Sequence, residues 1–167
     1  MLRNKRGLSQ VVTTLIILVV SVLLAGIVTY YATNITMTRT QQEDAAITKE
    51  HVWVNASGAV AAFKLQNLGG RDLLIDKVAV RSVECNWSKT YYWRVPSGTV
   101  VTGDLLVVDP STVNGTQATA NITVDGSART FERASTDIPL VSGGVIIFYI
   151  GSPDNISMDD IGKTTSL

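Results

Sequence analysis

The chain has 167 residues, a mean hydropathy of +0.23 and 14 basic side chains against 14 acidic ones. This length predicts one domain, or one domain plus a long N-terminal helix. The balanced charge disfavours the basic face that nucleic-acid binding needs, so we expect no nucleic-acid partner, and a single cysteine, Cys85, excludes an internal disulfide. A free cysteine is typically buried, and we expect Cys85 to be so.

The first predicted element is a long apolar helix. Residues 11–32 contain no charged residue and no proline, and at about 1.5 Å per residue such a run is long enough to cross a bilayer. Because the run is apolar on all sides, it needs cover all round, from lipid or from copies of itself. Arg3, Lys5 and Arg6 precede it, so the positive-inside rule places the N-terminus in the cytoplasm and the rest of the chain outside.

The helical pattern extends beyond the apolar run. Residues 33–50 contain neither glycine nor proline, which predicts one continuous helix from about Ser9 to about Thr48. Ser21, Ala25 and Thr29 follow one another at intervals of four residues and form a stripe of small side chains. Such a stripe lets neighbouring helices approach closely, which makes these three residues candidates for helix packing.

The order of the basic cluster and the apolar run is informative. In a secretory signal the apolar segment precedes a small-residue cleavage site and is removed with it. Here Lys5, Arg6 and Gly7 come directly before Leu8, so a cut after Gly7 removes the charges and leaves the helix on the mature chain. The mature chain then carries 11 basic and 14 acidic side chains, and is mildly acidic.

The stretch Lys5-Arg6-Gly7-Leu8 resembles the class III signal peptide of type IV pilin-like proteins, most closely that of archaeal pilins and archaellins. Val12 stands at the fifth mature position, where bacterial type IV pilins usually carry glutamate, and this disfavours a bacterial pilin. The resemblance implies a leader at residues 1–7, a hydrophobic helix at residues 8–50 and an extracellular domain at residues 51–167. It also implies processing by a prepilin peptidase, a membrane-anchored precursor, an assembly machinery in the membrane and a homopolymeric filament outside the cell.

After His51 the helical pattern gives way to short alternating stretches bounded by turn residues. Seven or more strands with no second long helix predict an α+β protein, in which the N-terminal helix precedes an antiparallel, immunoglobulin-like β-sandwich. The run at residues 143–150 is the most apolar, and we expect a central strand buried on both faces. The predicted strands lie near residues 52–54, 59–65, 73–80, 83–95, 105–108, 120–124, 129–132 and 143–150.

Asn-x-Ser/Thr triplets are more frequent than chance predicts. The chain has eight asparagines, and six of them begin such a triplet, against roughly one or two expected from its content of serine and threonine. All six lie on the side that the charge pattern places outside, which predicts N-glycosylation. The six are Asn34, Asn55, Asn86, Asn114, Asn121 and Asn155, and Asn55, Asn86 and Asn114 are the preferred candidates because they fall in predicted loops.

Catalytic and metal-binding patterns were sought along the chain. The chain has one histidine, His51, and one cysteine, which are too few nitrogen and sulfur ligands for a zinc site. Asp154, Asp159 and Asp160 lack the ligand order of a calcium loop, and no phosphate-binding loop or nucleophile elbow occurs. We therefore expect no enzymatic activity, no cofactor and no metal.

Three functions remain for this pattern. The first is a structural subunit of an archaeal type IV pilus-like filament used for surface adhesion, with an archaellin, the subunit of a motility filament, as its close rival. The second is an uncleaved single-span membrane protein whose outward sandwich binds the cell envelope. The third is an extracellular binding or sensory domain. Lys5-Arg6-Gly7 separates the first from the others, because only the filament subunit requires the cut.

Overall fold

The computed structural model describes residues 3–154, 156–157 and 159; at residues 3–6 and 39–41 the description covers the backbone alone. The chain divides into two compact units between Gln41 and Gln42. The first is an α-helix and the second is built from antiparallel strands, so the predicted α+β class is confirmed.

Helix α1 runs over Arg3–Gln41 and contains the whole predicted apolar run. The prediction that it continues to about Thr48 is wrong, because strand β1 begins at Ala45. Residues 43–48 tolerate a helix, but Ile47 pairs with Leu65 and Thr48 with Lys64 on the neighbouring strand. Pairing along a whole strand outweighs the weak helix propensity of a few residues, and the β-branched side chains of Ile47 and Thr48 suit a strand.

The β unit contains one six-stranded sheet in the order β1-β2-β10-β6-β8-β7, and two two-stranded sheets, β3-β9 and β4-β5. All pairings are antiparallel. The strands are β1 (Ala45–Asn55), β2 (Gly58–Asn67), β3 (Leu73–Ile75), β4 (Ala79–Val80), β5 (Val83–Glu84), β6 (Thr90–Arg94), β7 (Thr119–Val124), β8 (Ser127–Arg133), β9 (Ile138–Leu140) and β10 (Val145–Gly151). Short 3-10 helices cover Trp87–Lys89 and Pro110–Val113.

Strand β10 is central and buried on both faces, as predicted. Ile147 and Tyr149 belong to one hydrophobic cluster, and Ile146, Phe148 and Ile150 belong to another. Successive side chains of a strand point to opposite faces, so the six-stranded sheet carries a core layer on each side. Segments that are not part of the six-stranded sheet supply the cover: Val101, Leu105 and Val113 in the first cluster, and Val80, Ile138 and Leu140 in the second.

Short turns join two pairs of the predicted strands into hairpins. Asn55 pairs with Gly58 across the first turn, and Val124 pairs with Ser127 across the turn at Asp125-Gly126. A Cβ at Gly151 on β10 would collide with the carbonyl group of Val113. Glycine therefore lets the helical turn at Pro110–Val113 lie directly against the central strand.

Three predicted strands differ from the structure, and one observed strand was not predicted. The expected strand at residues 83–95 is interrupted by the 3-10 helix Trp87–Lys89, which separates β5 from β6. The expected strand at residues 73–80 is split into β3 and β4, which belong to different small sheets. The expected strand at residues 105–108 is irregular chain on the first core face, where Leu105 is buried and the Leu106 carbonyl accepts a hydrogen bond from Tyr149. Strand β9 was not predicted, because proline is unfavourable inside a strand. Pro139 is tolerated here because β9 is an edge strand of a two-stranded sheet.

The finer expectation of an immunoglobulin-like sandwich stays a prediction. The two short sheets cover one face of the six-stranded sheet, and irregular chain together with the 3-10 turn at Pro110–Val113 covers the other.

Candidate assembly and modification surfaces

The side chains of α1 are uncovered along the apolar run. The helix over Gly7–Thr38 is long and apolar enough to cross a membrane, by length and composition, and none of it is buried. A signal sequence near the N-terminus has the same properties. The large apolar side chains of α1, from Leu8 to Met37, each keep between 46% and 71% of their surface exposed.

The hydroxyl groups of α1 bond back to the helix itself. Thr13 donates to the Ser9 carbonyl at 2.9 Å, Thr29 to the Ala25 carbonyl at 2.7 Å, and Thr36 to the Ala32 carbonyl at 2.8 Å. The same pattern holds for Thr14, Ser21, Thr33 and Thr38. A polar group in an apolar environment is costly unless it is hydrogen-bonded, so this pattern prepares the helix for lipid or for close helix packing.

The predicted packing stripe lies on one side of α1. Ser21, Ala25 and Thr29 are all exposed, and the hydroxyls of Ser21 and Thr29 bond to the carbonyls of Ile17 and Ala25. The stripe is therefore small in volume and satisfied in its hydrogen bonding. A partner helix can approach it without leaving a polar group unpaired.

The predicted processing site lies within the first turns of α1. Gly7 has ordinary helical geometry, and a Cβ added there would meet no atom within 4 Å. The fold does not require glycine at this position, and glycine in a helix costs about 1 kcal/mol relative to alanine. Leu8 is 71% exposed. The side chains of Lys5 and Arg6 lie outside the described part of the chain, while their backbone is helical.

The predicted cut after Gly7 would require this helical end to open. The first four N–H groups of any helix have no intrahelical acceptor, and the first turn of α1 contains no acidic side chain to stabilise them. Positive charge at Lys5 and Arg6 opposes the helix dipole at this end. The first turn of α1 therefore lacks the charge stabilisation that a helix N-terminus usually has.

Asn67 organises the end of the β unit at which the chain enters from α1. It is fully buried, and its side-chain nitrogen donates to the carbonyls of Arg71 at 2.7 Å and Leu140 at 3.3 Å. Its side-chain oxygen accepts from the Gly69 N–H at 2.9 Å, and its backbone pairs with Gly143 and Gly144. Asn67 thus connects the β2-β3 turn to the β9-β10 turn.

The entering chain is held by the same β2-β3 turn. The N–H groups of Leu68 and Gly69 donate to the Asp44 carbonyl at 2.8 and 3.0 Å, and Gly70 donates to the Gln42 carbonyl at 3.2 Å. A Cβ on Gly69 would lie 2.5 Å from the Gln42 oxygen, so glycine is required for this close approach. This turn therefore fastens the start of the β unit, a contact between segments more than twenty residues apart that local sequence does not indicate.

A second fastening, which sequence reasoning missed, holds the irregular segment over the first core face. Lys49 donates to the carbonyls of Thr102 and Gly103, and His51 bonds the Asp104 carboxylate at 2.8 Å. The hydrogen bond from His51 lowers the pKa of Asp104. Asp125 accepts from the N–H groups of Thr102 and Gly103 at 2.9 and 2.6 Å. His51 therefore has a structural partner.

Three predicted glycosylation sites have the same local geometry. The side-chain oxygens of Asn55, Asn86 and Asn114 accept hydrogen bonds from the backbone N–H two residues later, each at 2.9 Å. That later residue is the serine or threonine of the triplet, so each site is an Asx turn. All three asparagines are exposed, and the amide nitrogen that would carry the sugar has no hydrogen-bond partner among the described residues.

The remaining triplets differ from these turns. Asn34 lies on α1, where a separation of two residues corresponds to about 200° around the axis, so Asn34 and Thr36 point in different directions. Asn121 lies on β7, where Asn121 and Thr123 are both exposed on the same face. Asn155 lies outside the described residues. The helix site is therefore the poorest acceptor and the strand site an intermediate one.

Cys85 is buried, as expected, and burial raises the pKa of its thiol. Within the described residues no group of three or more histidine, cysteine, aspartate or glutamate side chains is placed to hold a metal ion. Asp160, one of the three aspartates considered for calcium, lies outside that part of the chain.

Comparison with known proteins adds no relative: no family model, no curated protein and no solved structure matches this chain.

Proposed function

We propose that this protein is the structural subunit of an archaeal type IV pilus-like filament that serves surface adhesion. One observation carries the proposal: a 39-residue helix, with Lys5-Arg6-Gly7 in its first turns, leaves its apolar side chains exposed while its hydroxyls bond to its own backbone. Such a helix needs cover that it does not supply itself. Lipid covers it in the precursor, and identical helices cover it in the filament.

In this proposal the helix, its small-residue stripe and the β unit have different roles in assembly. Burying apolar surface is worth roughly 25 cal/mol per Å² relative to water, so a free subunit with an exposed helix is strongly disfavoured. Transfer from lipid to a helix bundle gains little of this, which is why assembly needs a membrane machinery that supplies energy. The small stripe at Ser21, Ala25 and Thr29 provides close packing between helices, and the β units form a glycosylated outer layer.

The processing step converts a membrane protein into an assembly unit. A prepilin peptidase on the cytoplasmic side cuts after Gly7, which removes Arg3, Lys5 and Arg6 and makes Leu8 the first residue. Positive charges anchor a helix on the cytoplasmic side, so their loss lets the helix move outward. Glycine at position 7, where the fold has room for any side chain, supports a requirement set by the peptidase.

The experiment compares Gly7→Leu with Gly26→Ala in the native host. Both glycines lie in α1 with open space around them, so neither change is expected to perturb the fold. Gly7→Leu should retain its first seven residues, remain in the membrane and form no filaments. Gly26→Ala should start at Leu8. N-terminal sequencing and electron microscopy read the two results, and filaments from uncleaved Gly7→Leu would refute the proposal.

A second function is favoured by the continuity of α1 through the processing site. If the helix never opens, the chain remains a single-span membrane protein whose β unit binds the cell envelope. The native protein then keeps Arg3 and Lys5, and intact mass separates the two cases.

A further inference from the structure

The two outer strands of the six-stranded sheet are protected in different ways. The outer strand of a sheet presents unpaired backbone N–H and C=O groups, which can pair with another chain. Strand β1 is one edge, and its pairing with β2 is interrupted between Thr48 and His51. Lys49 and Glu50 lie in that interruption, and Lys49 has a left-handed backbone with a φ of 56°. A bulge and adjacent charges are the usual means of preventing edge pairing.

Strand β7 forms the other edge and has neither device. It pairs with β8 over all six residues without a register shift, and no other described strand lies on its outer side. Its sequence, Thr-Ala-Asn-Ile-Thr-Val, contains no charge, no proline and no glycine. Short uncharged segments rich in β-branched residues are those most prone to strand addition.

The exposed face of β7 carries a glycosylation triplet. Ala120, Ile122 and Val124 are buried, whereas Thr119, Asn121 and Thr123 face solvent. Asn121 lies in the middle of the strand, opposite Thr130 of β8, whose hydroxyl donates to the Asn121 side-chain oxygen at 3.1 Å. A sugar on the Asn121 nitrogen would therefore project from the exposed face of the sheet at the middle of its edge strand.

We propose that an N-linked glycan on Asn121 protects the open edge of β7 by blocking strand addition from a second copy of the chain. The glycan is bulky and hydrated, and a strand that approaches β7 would have to displace it. The inference rests on the outward, glycosylated β unit of the proposed function. It assigns to Asn121 a purpose distinct from that of the other exposed sites, since Asn86 and Asn114 lie in turns and Asn55 is the last residue of β1, at the turn into β2 and not in the middle of an edge strand.

The test uses the full-length protein, purified in detergent from a host that glycosylates it. Mass spectrometry of the peptide that contains β7 first establishes whether Asn121 is modified; an unmodified Asn121 in the native protein overturns the proposal. Asn121→Gln and Thr123→Val then remove the triplet by changing two different exposed residues, so that a folding defect of one variant does not decide the outcome. Asn114→Gln, which removes a loop triplet, is the matched control.

The readout is hydrogen exchange at residues 119–124 at low and high protein concentration. In Asn121→Gln and Thr123→Val, amide exchange at high concentration should slow by about tenfold or more, the change that a pairing free energy of about 1.4 kcal/mol produces. The wild type and Asn114→Gln should show no such dependence. Equal exchange in all four proteins overturns the proposal.

A charged side chain on β7 should replace the protection that the glycan gives. Thr119→Lys, added to Asn121→Gln, places a lysine on the bare edge and should abolish the concentration dependence without a glycan. If association persists in this double variant, it does not run through β7 and the proposal fails. The filament function is tested separately by the first residue of the mature chain, so the two proposals can fail independently.

Discussion

Two apolar stretches of this chain have opposite surroundings. In β10, Ile146, Ile147, Phe148 and Tyr149 are fully buried, and strands and irregular segments of the same chain cover both faces. In α1, the side chains of the apolar run are all exposed. Comparable hydrophobicity thus leads to a core in one region and to an exposed surface in the other. The contrast separates residues that stabilise the β unit from residues that, in the proposed function, direct assembly.

The largest expected effect is in β10. Phe148→Ala removes a fully buried ring whose centroid lies 5.1 Å from that of the stacked Phe63 ring and 6.4 Å from that of the Tyr92 ring. Because neighbouring side chains fill such a cavity only in part, the free energy of unfolding should fall by about 3–5 kcal/mol. Chemical denaturation followed by tryptophan fluorescence measures this, since all three tryptophans lie in the β unit. A loss no larger than that of a surface change would contradict the central position of β10.

A smaller effect appears at alkaline pH. Burial, followed by the nearby Asp104 carboxylate, raises the pKa of Tyr149 to about 12. The unfolded chain loses this proton near pH 10, so the neutral phenol stabilises the folded state below pH 10, and that contribution is lost as the pH rises from about 10 to about 12. Tyr149→Phe should flatten this part of the stability profile, whereas Tyr31→Phe in α1 should leave it unchanged. Identical profiles for the wild type and Tyr149→Phe would argue against the pKa shift.

The smallest effect on stability is expected in α1. Leu18 is 64% exposed, so Leu18→Ala should change the unfolding free energy of the β unit by no more than about 0.5 kcal/mol. The same denaturation measurement checks this in detergent. A loss comparable to that of Phe148→Ala would mean that α1 is part of the core, and the contrast between the two stretches would not hold.

Local patterns predicted those parts of the fold that depend on neighbouring residues. The turns at Asn55–Gly58 and Asp125-Gly126, the apolar helix and the buried strand β10 follow from turn chemistry and hydrophobic runs. The end of α1 was mispredicted because residues 43–48 suit a helix locally but pair with β2 in the fold. Leu105 was assigned to a strand because its apolar neighbours resemble one, whereas it covers the sheet as irregular chain.

The candidate surfaces divide in the same way. The Asn-x-Ser/Thr triplets and Lys5-Arg6-Gly7 are readable from adjacent residues, because a modifying enzyme reads a short segment. That three triplets form Asx turns while Asn121 lies on a sheet edge required the structure. The Asn67 network and the attachment of Lys49, His51 and Asp125 to residues 102–104 join positions far apart in sequence, and no local signal marks them.

The sequence by itself determined that this protein has an apolar helix with basic residues before it and short strands after it, because charge, hydropathy and turn residues act over a few positions. Tertiary structure alone decided which strands lie at the edges of the sheet, where the chain enters the β unit and which asparagine lies on an open edge. Those features depend on pairing between distant segments, and the free energy of that pairing belongs to the assembled sheet and not to any one stretch of residues.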